Sequence, residues 1–293
     1  MPIHFKSLQE FTKIELLGLI ERAVELKKER KAGIIHRQLS GKTIGLFFET
    51  PSTGTRVSFE SAMYALGGQV IVLSNRDTQS MKPASLKNMS RIISQYVDGM
   101  VVRASGQDGL EELTDYASIP VINASTDLHH PCQILSDAMT VVEEKGSIEN
   151  LHIGWIGDGN NMANSWIQAA AKIGFELTLA CPEGYSPDAE ILGAGQSEAT
   201  RPITLVRDPK GAVCSADVIC VGVRASEGQF SPCRLDSALL DKAPADCIVL
   251  HCLPLFRGKE ITDEVLESEQ CVAFDQAENK MHINKAILES FII

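Results

Sequence analysis

The chain has 293 residues, of which 44% are hydrophobic, and this length suits one large domain or two of ordinary size. The formal net charge of −11 argues against nucleic acid or an anionic membrane surface as a partner. No apolar run reaches membrane-spanning length and the first residues lack a signal-peptide pattern, so we expect a cytoplasmic protein with no membrane partner.

Strand-like and helix-like segments alternate along the chain. Amphipathic helices are predicted over Glu10–Arg30, Ser85–Tyr96, Gln133–Glu144 and Asn161–Ile173. Short apolar runs predict strands over Thr43–Phe48, Gln69–Leu73, Gly99–Val102, Pro120–Ile122, His152–Ile156, Glu176–Ala180, Ile203–Val206, Asp217–Val221, Cys247–His251 and Cys271–Phe274. The alternation predicts an α/β fold with parallel sheets covered by helices on both faces.

A charged and glycine-containing segment, Glu143–Ser147, follows the third of these helices and marks a soft domain boundary. Four predicted strands precede it and about six follow it. The chain is therefore predicted to form two doubly wound parallel-sheet domains. An active site is expected in the cleft between them, at the carboxyl ends of the strands.

Hydroxyl side chains cluster where the first predicted strand gives way to a helix. Pro51 ends the strand, and Ser52, Thr53 and Thr55 precede the helical spacing that begins at Arg56. Free backbone N–H groups and the positive end of the helix dipole suit a phosphate at such a turn. A serine or threonine cap on an ordinary helix is the alternative.

Two later segments add polar groups at strand and helix ends. Arg103 follows the predicted strand Gly99–Val102, and a surface salt bridge is its alternative role. Pro131 suits a first helical turn, which leaves His130 at the mouth of the helix and Gln133 one turn further on. A histidine there can donate to an oxyanion, although a helix-capping histidine without a ligand fits the same spacing.

The loop Gly157–Asn161 follows a strand and opens a helix, which is also the position of a dinucleotide-binding loop. Met162 occupies the place of the third glycine of that pattern, and no acidic residue ends the strand after it. We therefore expect no nicotinamide or flavin cofactor. None of the eight cysteines forms a Cys-x-x-Cys pair, so buried reduced thiols are expected and a structural zinc site is not.

These segments together resemble the aspartate/ornithine carbamoyltransferase family. Ser52–Arg56 resembles the family's Ser-Thr-Arg-Thr-Arg loop, and His130–Gln133 its His-Pro-x-Gln motif. Tyr96–Arg103 matches a Tyr-Val-Asp-x-x-x-x-Arg pattern. Asp158–Asn161 and the His-Cys-Leu-Pro motif of His251–Pro254 resemble the ornithine branch specifically.

The resemblance implies a role for each matching residue. The implied catalytic residues are Arg103, His130 and Cys252. The implied carbamoyl phosphate-binding residues are Ser52, Thr53, Gly54, Thr55, Arg103, His130, Gln133, Leu253 and Lys280. The implied amino-acid-binding residues are Asn161, Gly222, Ser226, Glu227 and Cys252, and Lys82 is a candidate phosphate ligand donated to a neighbouring subunit.

Four of these positions depart from the family pattern. Gly54 replaces a phosphate-binding arginine, and Gly222 replaces the aspartate that holds the α-ammonium of the acceptor. Glu227 stands in place of a methionine, and Lys280 in place of an arginine. Glu227 and Lys82 could compensate for the losses, whereas a solvated loop charge is the alternative for each.

The resemblance implies a carbamoyl phosphate domain over residues 1–146, joined by a C-terminal helix over 277–293, and an amino-acid domain over 147–276. It further implies transfer of a carbamoyl group from carbamoyl phosphate to L-ornithine, giving L-citrulline and phosphate in arginine biosynthesis. No metal or organic cofactor is implied, and a homotrimer or a multiple of trimers is expected. The departures leave open a different acceptor amine, or a weakly active or inactive binding or regulatory paralogue.

Overall fold

The computed structural model describes residues 4–74, 86–222, 233–252 and 258–293. The chain divides into two compact units. Unit 1 consists of Met1–Glu10, Ile14–Ser136 and Asn279–Ile293, and unit 2 of Phe11–Lys13 and Asp137–Glu278. Within the described part of the chain, no helix is long and apolar enough to cross a membrane.

Unit 1 contains a four-stranded sheet in the order β2-β1-β3-β4, with every neighbouring pair parallel. Its strands are β1 (Thr43–Phe48), β2 (Gln69–Ser74), β3 (Gly99–Arg103) and β4 (Val121–Ser125). Its helices are α1 (Lys13–Lys31), α2 (Thr53–Ala65), α3 (Leu86–Ile93) and α4 (Gln107–Tyr116). The residues of β4 are buried throughout and those of β1 and β3 are buried except at strand ends, as expected for strands covered on both faces.

Unit 2 contains a five-stranded parallel sheet in the order β7-β6-β5-β8-β9. Its strands are β5 (His152–Gly157), β6 (Glu176–Ala180), β7 (Ile203–Val206), β8 (Val218–Gly222) and β9 (Ile248–His251). Its helices are α6 (Asn161–Ile173), α7 (Ala189–Glu198), α8 (Lys210–Val213), α9 (Ser237–Leu240) and α10 (Asp263–Leu266). One boundary between the units lies between Glu10 and Phe11, and the others fall inside α1, α5 (Pro131–Lys145) and α11 (Ala273–Ile292).

These two parallel-sheet α/β units confirm the predicted fold class. The strand predicted over Cys271–Phe274 is wrong. Cys271 makes only a single parallel bridge to Val249, and α11 begins at Ala273. Phe274 is 60% exposed, whereas a buried strand would cover it. A four-residue apolar run cannot be told from a first helical turn by its periodicity, which accounts for the error.

The cysteines are all free, as the sequence predicts. Most are buried, and burial raises the pKa of Cys132, Cys181 and Cys247 to about 12. Cys214 is exposed, contrary to the expectation of burial. It ends the short helix α8, where a single turn does not cover the side chain.

Candidate active site

The predicted phosphate loop lies at the carboxyl edge of the unit 1 sheet. Phe48, the last residue of β1, pairs with Arg103, the last residue of β3, so the segments that follow both strands share one edge. Ser52 precedes α2 in an extended conformation, but its side chain caps no backbone N–H. Its hydroxyl instead donates to Oγ1 of Thr55 at 3.0 Å. The first backbone N–H groups of α2 therefore lack a serine side-chain cap and suit an anion.

Lys280 connects two of the predicted phosphate-binding segments. Its Nζ donates to Oε1 of Gln133 at 2.7 Å and lies 3.4 Å from Oγ1 of Thr55. Thr55 and Gln133 are both buried. Three residues far apart in the sequence, on α2, α5 and α11, thus meet within unit 1, with a positive charge at the centre of the group.

Arg103 is tied to the loop that precedes α2. Its Nε donates to Oγ1 of Thr50 at 3.0 Å, and its carbonyl oxygen accepts from the N–H of Glu49 at 2.9 Å. The carboxylate of Glu49 accepts from the N–H of Ser105 at 2.7 Å. Glu49 and Thr50 were not predicted as supports for this arginine, although their position directly before the loop is a signal for such a role.

His130 precedes the first turn of α5, as Pro131 predicts. The helix begins at Pro131, and the carbonyl oxygen of His130 accepts from the N–H groups of Gln133 and Ile134 at 3.2 and 3.3 Å. The imidazole is buried. The backbone of this turn therefore fixes the positions from which the side chains of His130 and Gln133 project.

Gly54 lies in the first turn of α2, where there is room for a side chain. A Cβ built at this position meets no atom within 4 Å. The neighbouring Arg56 is directed to Glu60, with Nε 2.8 Å from Oε1. Arg56 and Glu60, with Ser52 and Thr53, line an open pocket of about 590 Å³. Arg56 therefore makes a local ion pair, and the position of the missing family arginine is unobstructed.

In unit 2, the loop after β5 brings Asn161 to the start of α6. The side chain of Asn160 caps the helix by accepting from the N–H groups of Met162 and Ala163 at 2.8 and 3.3 Å. Asn161 follows as the first helical residue and is buried. Gly159 is required by packing, because a Cβ there would lie 2.0 Å from the backbone nitrogen of Pro187.

Gly222 ends β8 against an aromatic ring. A Cβ at this position would lie 2.1 Å from Cη2 of Trp155, well inside contact distance. Trp155 is buried in β5, and its Nε1 donates to the carbonyl oxygen of Asp158 at 3.0 Å. The ring therefore fills the space that the first carbon of an aspartate side chain would need.

Cys252 directly follows β9 and is half-buried. Four other residues of the predicted site lie outside the described residues: Lys82, Ser226, Glu227 and Leu253. Over the described ranges, no group of three or more His, Cys, Asp or Glu side chains is arranged to hold a metal ion.

The two units thus offer different chemistry. Unit 1 presents two cationic side chains, Arg103 and Lys280, with hydroxyl groups and a helix N-terminus, which suits a small anion such as a phosphate ester. Unit 2 presents a buried asparagine after β5 and a half-buried thiol after β9, both at the carboxyl edge of the same parallel sheet, which suits polar groups of a second small molecule.

Nearly the whole chain matches known protein families. Residues 3–143 match the family described as aspartate/ornithine carbamoyltransferase, carbamoyl-P binding domain. Residues 149–291 match the family described as aspartate/ornithine carbamoyltransferase, Asp/Orn binding domain.

Individual relatives are similar over their full length. The ornithine carbamoyltransferase of Desulfotalea psychrophila is 62% identical, with 100% of both chains aligned. The anabolic ornithine carbamoyltransferase of Pseudomonas aeruginosa is 43% identical over 99% of this chain and 97% of its own. The solved structure of the Pyrococcus furiosus ornithine carbamoyltransferase has a TM-score of 0.94 at 37% identity, covering 99% of this chain and 96% of that one.

Proposed function

The chain belongs to the aspartate/ornithine carbamoyltransferase family, and from this premise we propose that it transfers the carbamoyl group of carbamoyl phosphate to the side-chain amine of L-ornithine. The products are L-citrulline and phosphate. The neutral amine attacks the carbonyl carbon, a C–N bond forms, and the C–O bond to phosphate breaks. The phosphate leaves with the bonding electron pair and takes the proton that the amine loses.

The observation that carries this proposal is the contact of Lys280 with Gln133 and Thr55. An ammonium group held 2.7 Å from an amide oxygen and 3.4 Å from a hydroxyl forms a polar cluster beside the uncapped start of α2. Such a cluster stabilises a dianionic phosphate and the negative charge that develops on the carbonyl oxygen. Catalysis then depends on positioning and electrostatics, without a covalent intermediate on the protein.

We assign the individual roles accordingly. Ser52, Thr53, Thr55 and Lys280 bind the phosphate group, and Gly54 contributes its backbone. The residues Arg103, His130 and Gln133 stabilise the carbamoyl oxygen, with the backbone of Leu253. The residues Asn161, Gly222, Ser226, Glu227 and Cys252 bind the amino acid. Lys82 is the candidate phosphate ligand donated to a neighbouring subunit.

A second candidate function, carbamoyl transfer to a different amine, is favoured by Gly222. The position lacks a carboxylate for an α-ammonium group, and Trp155 occupies the space beside it. Loss of one member of an ion pair typically costs about 2–5 kcal/mol of binding. An acceptor without an α-ammonium group would not pay that penalty.

The test is an assay of the pure protein with carbamoyl phosphate and a panel of amines, with phosphate release and carbamoylated product both measured. Citrulline from ornithine supports the first proposal, and another carbamoylated product supports the second candidate. No turnover despite saturable carbamoyl phosphate binding would contradict both and indicate a binding or regulatory paralogue.

Lys280→Met tests the observation that carries the proposal. It should raise KM for carbamoyl phosphate at least about tenfold, because it removes a charged hydrogen-bond donor. Lys172→Met is the matched control, since Lys172 near the end of α6 forms an ion pair with Glu198 and has no assigned role in the site. An unchanged KM in Lys280→Met would contradict the assigned role.

We further propose a homotrimer, or a multiple of trimers, that works in the cytoplasm in arginine biosynthesis. Val57 and Tyr64 lie seven residues apart on α2 and are 51% and 60% exposed, and Ile71 is exposed on the edge strand β2. Apolar side chains on one helix face suit a subunit contact. Eight free cysteines fit a reducing compartment, and the similarity to an anabolic relative supports the biosynthetic direction.

A further inference from the structure

The loop between β6 and α7 (residues 181–188) lies against the β5–α6 loop, which leads to Asn161. The N–H of Gly159 donates to the carbonyl oxygen of Tyr185 at 2.8 Å. Beyond Asn161, Oδ1 of Asn164 accepts from the N–H of the last residue of the β6–α7 loop at 3.1 Å. The β6–α7 loop is therefore bonded to the chain on both sides of Asn161, and none of the roles assigned above uses it.

The backbones of the two loops are in direct contact. A Cβ at Gly159 would lie 2.2 Å from the carbonyl carbon of Ser186, so no side chain fits between the loops. The β6–α7 loop itself is a tight turn. Gly184 has a φ of 81°, and the N–H of Tyr185 donates to the carbonyl oxygen of Pro182 at 3.1 Å. A shift of this turn would therefore move Gly159, because no flexible side chain separates them.

Arg207 holds the β6–α7 loop from the neighbouring strand. It directly follows β7, and β6 and β7 are parallel neighbours, so the segments after both strands leave the sheet at the same edge. Nη1 donates to the carbonyl oxygens of Cys181 and Pro182 at 2.9 and 3.0 Å, and Nη2 donates to Oγ of Ser186 at 3.0 Å. These acceptors lie on either side of Tyr185 in the loop. One guanidinium group thus fixes both sides of the carbonyl oxygen that contacts the β5–α6 loop.

An arginine suits this task because its planar guanidinium presents donors in fixed directions. All three acceptors are neutral oxygens, and a hydrogen bond from a charged donor is roughly twice as strong as one between neutral groups. Arg207 is exposed, so water competes for the same donors. We therefore expect its removal to loosen the loop rather than to unfold unit 2.

We propose that Arg207 is a positioning residue for the amino-acid site, which keeps Asn161 in place by holding the β6–α7 loop against the β5–α6 loop. The inference rests on the proposed function, in which Asn161 binds the amino acid. Without Arg207, the contact between Gly159 and Tyr185 is broken for part of the time, and the start of α6 shifts. Binding of ornithine should weaken, whereas carbamoyl phosphate, whose phosphate group is assigned to unit 1, should bind as before.

The first experiment compares variants of the full chain by steady-state kinetics. Arg207→Ala should raise KM for ornithine about tenfold, while kcat and KM for carbamoyl phosphate stay within about twofold of the original values. Ser186→Ala removes one of the three acceptors, so it should raise KM for ornithine about threefold and have no further effect in the Arg207→Ala background. Arg201→Ala is the matched control and should change none of these constants, since Arg201 lies before β7 and contacts the carbonyl oxygen of Asn150.

A second readout does not depend on turnover. Amide hydrogen exchange, followed by fragmentation mass spectrometry, measures how well the bond to Tyr185 protects the N–H of Gly159. Arg207→Ala should speed this exchange about tenfold. The internal reference is the N–H of Asp217, which donates to the carbonyl oxygen of His152 at 2.8 Å at the amino edge of the same sheet and should keep its rate.

The two readouts separate failure of this inference from failure of the proposed function. If the original chain makes no citrulline, the proposed function is contradicted, and the exchange of Gly159 still tests the positioning role. An unchanged exchange rate of Gly159 in Arg207→Ala would overturn the inference, as would an equal acceleration at Gly159 and Asp217. An unchanged KM for ornithine, or an equal rise of both Michaelis constants, would overturn it as well. If Arg207→Ala does not fold, Ser186→Ala decides by the same two measurements, with an expected change of about threefold in each.

Discussion

At the scale of single residues, two glycines stand where the family resemblance implies charged side chains, and their surroundings differ. Gly54 has open space around it, whereas a Cβ at Gly222 would meet the ring of Trp155. The first departure is therefore reversible by substitution, and the second is built into the packing of unit 2. We therefore expect a side chain at position 54 to be tolerated and a side chain at position 222 to destabilise the fold.

Gly54→Arg should strengthen the binding of inorganic phosphate by about tenfold, because it adds a charged donor beside Thr55 and Lys280. Isothermal titration with phosphate measures the change. Gly18→Arg is the matched control, since Gly18 is also a helical glycine of unit 1 with nothing within 4 Å of an added Cβ. Equal or weaker binding in Gly54→Arg would mean that the loop no longer accommodates the family arginine.

Gly222→Ala should lower the free energy of unfolding by about 1–3 kcal/mol, because the added methyl group overpacks the site of Trp155. Urea unfolding gives the value. The control is Gly193→Ala on α7, where an added Cβ meets nothing within 4 Å and replacement of a helical glycine should stabilise by about 0.5–1 kcal/mol. Equal stability of Gly222→Ala and the original chain would contradict the packing account.

At the scale of elements, α11 is joined to α1 and to the segment after it by buried polar contacts within unit 1. Nζ of Lys27 donates to Oδ1 of Asn279 at 2.7 Å. Nζ of Lys285 lies 3.0 Å from Nδ1 of His36, whose Nε2 lies 2.8 Å from the carboxylate of Glu29. Lys285 is fully buried. Burial, reinforced by the charge of Arg30, lowers its pKa to about 8.

The lowered pKa of Lys285 predicts a pH dependence of stability. Between pH 8 and 10.5 the unfolded chain binds a proton that the folded chain has released, so the free energy of unfolding should rise with pH across this window. The contribution is at most about 3 kcal/mol, and it is lost as the pH falls through the folded-state pKa. Urea unfolding of the original chain and of Lys285→Met, at about pH 7 and about pH 10, isolates it as a difference.

Lys172→Met serves again as the surface control, since its ion pair with Glu198 is partly exposed. It should keep the pH dependence of the original chain, whereas Lys285→Met should lose part of it. Parallel curves for Lys285→Met and the original chain would show that Lys285 does not titrate in this window.

At the scale of the whole molecule, local patterns predicted most of the fold. The bounds of β1, β6, β7 and α6 agree with the predicted ones, because a charged residue, a glycine or a proline lies within two residues of each end. The strand predicted over Cys271–Phe274 was wrong, because the periodicity of four residues does not distinguish a strand from the first turn of a helix. The order of the strands within each sheet was not predicted, because pairing depends on contacts between segments that are distant in the sequence.

The candidate site was predicted through motifs, and its contacts were not. Thr55, Gln133 and Lys280 each lie in a segment that resembles the family, and the assigned roles stay predictions. Their meeting around one ammonium group depends on three helices packed together, which sequence spacing does not encode.

The assembly state is a further prediction at this scale. Sedimentation equilibrium should give three times the chain mass of 31.9 kDa, or a multiple of that value. Tyr64→Glu should shift the distribution toward the single chain, because it places a charge on the proposed apolar contact. Phe274→Glu, at an equally exposed aromatic residue of unit 2, should leave the mass unchanged. A monomer in the original chain would contradict the proposed trimer.

Unit 1 contains two segments, Ile14–Ser136 and Asn279–Ile293, that are separated in the sequence by unit 2, so it cannot be completed early during synthesis on the ribosome. Its sheet is complete once Ser136 has been made, but Asn279–Ile293, which carries Lys280 and Lys285, is translated only after all of unit 2. The nascent chain must therefore carry a unit 1 whose α11 partner is still missing, with part of its core and its phosphate-binding ammonium group absent. Competence to bind substrate should therefore arise only after Asn279–Ile293 has been made and has packed against the rest of unit 1.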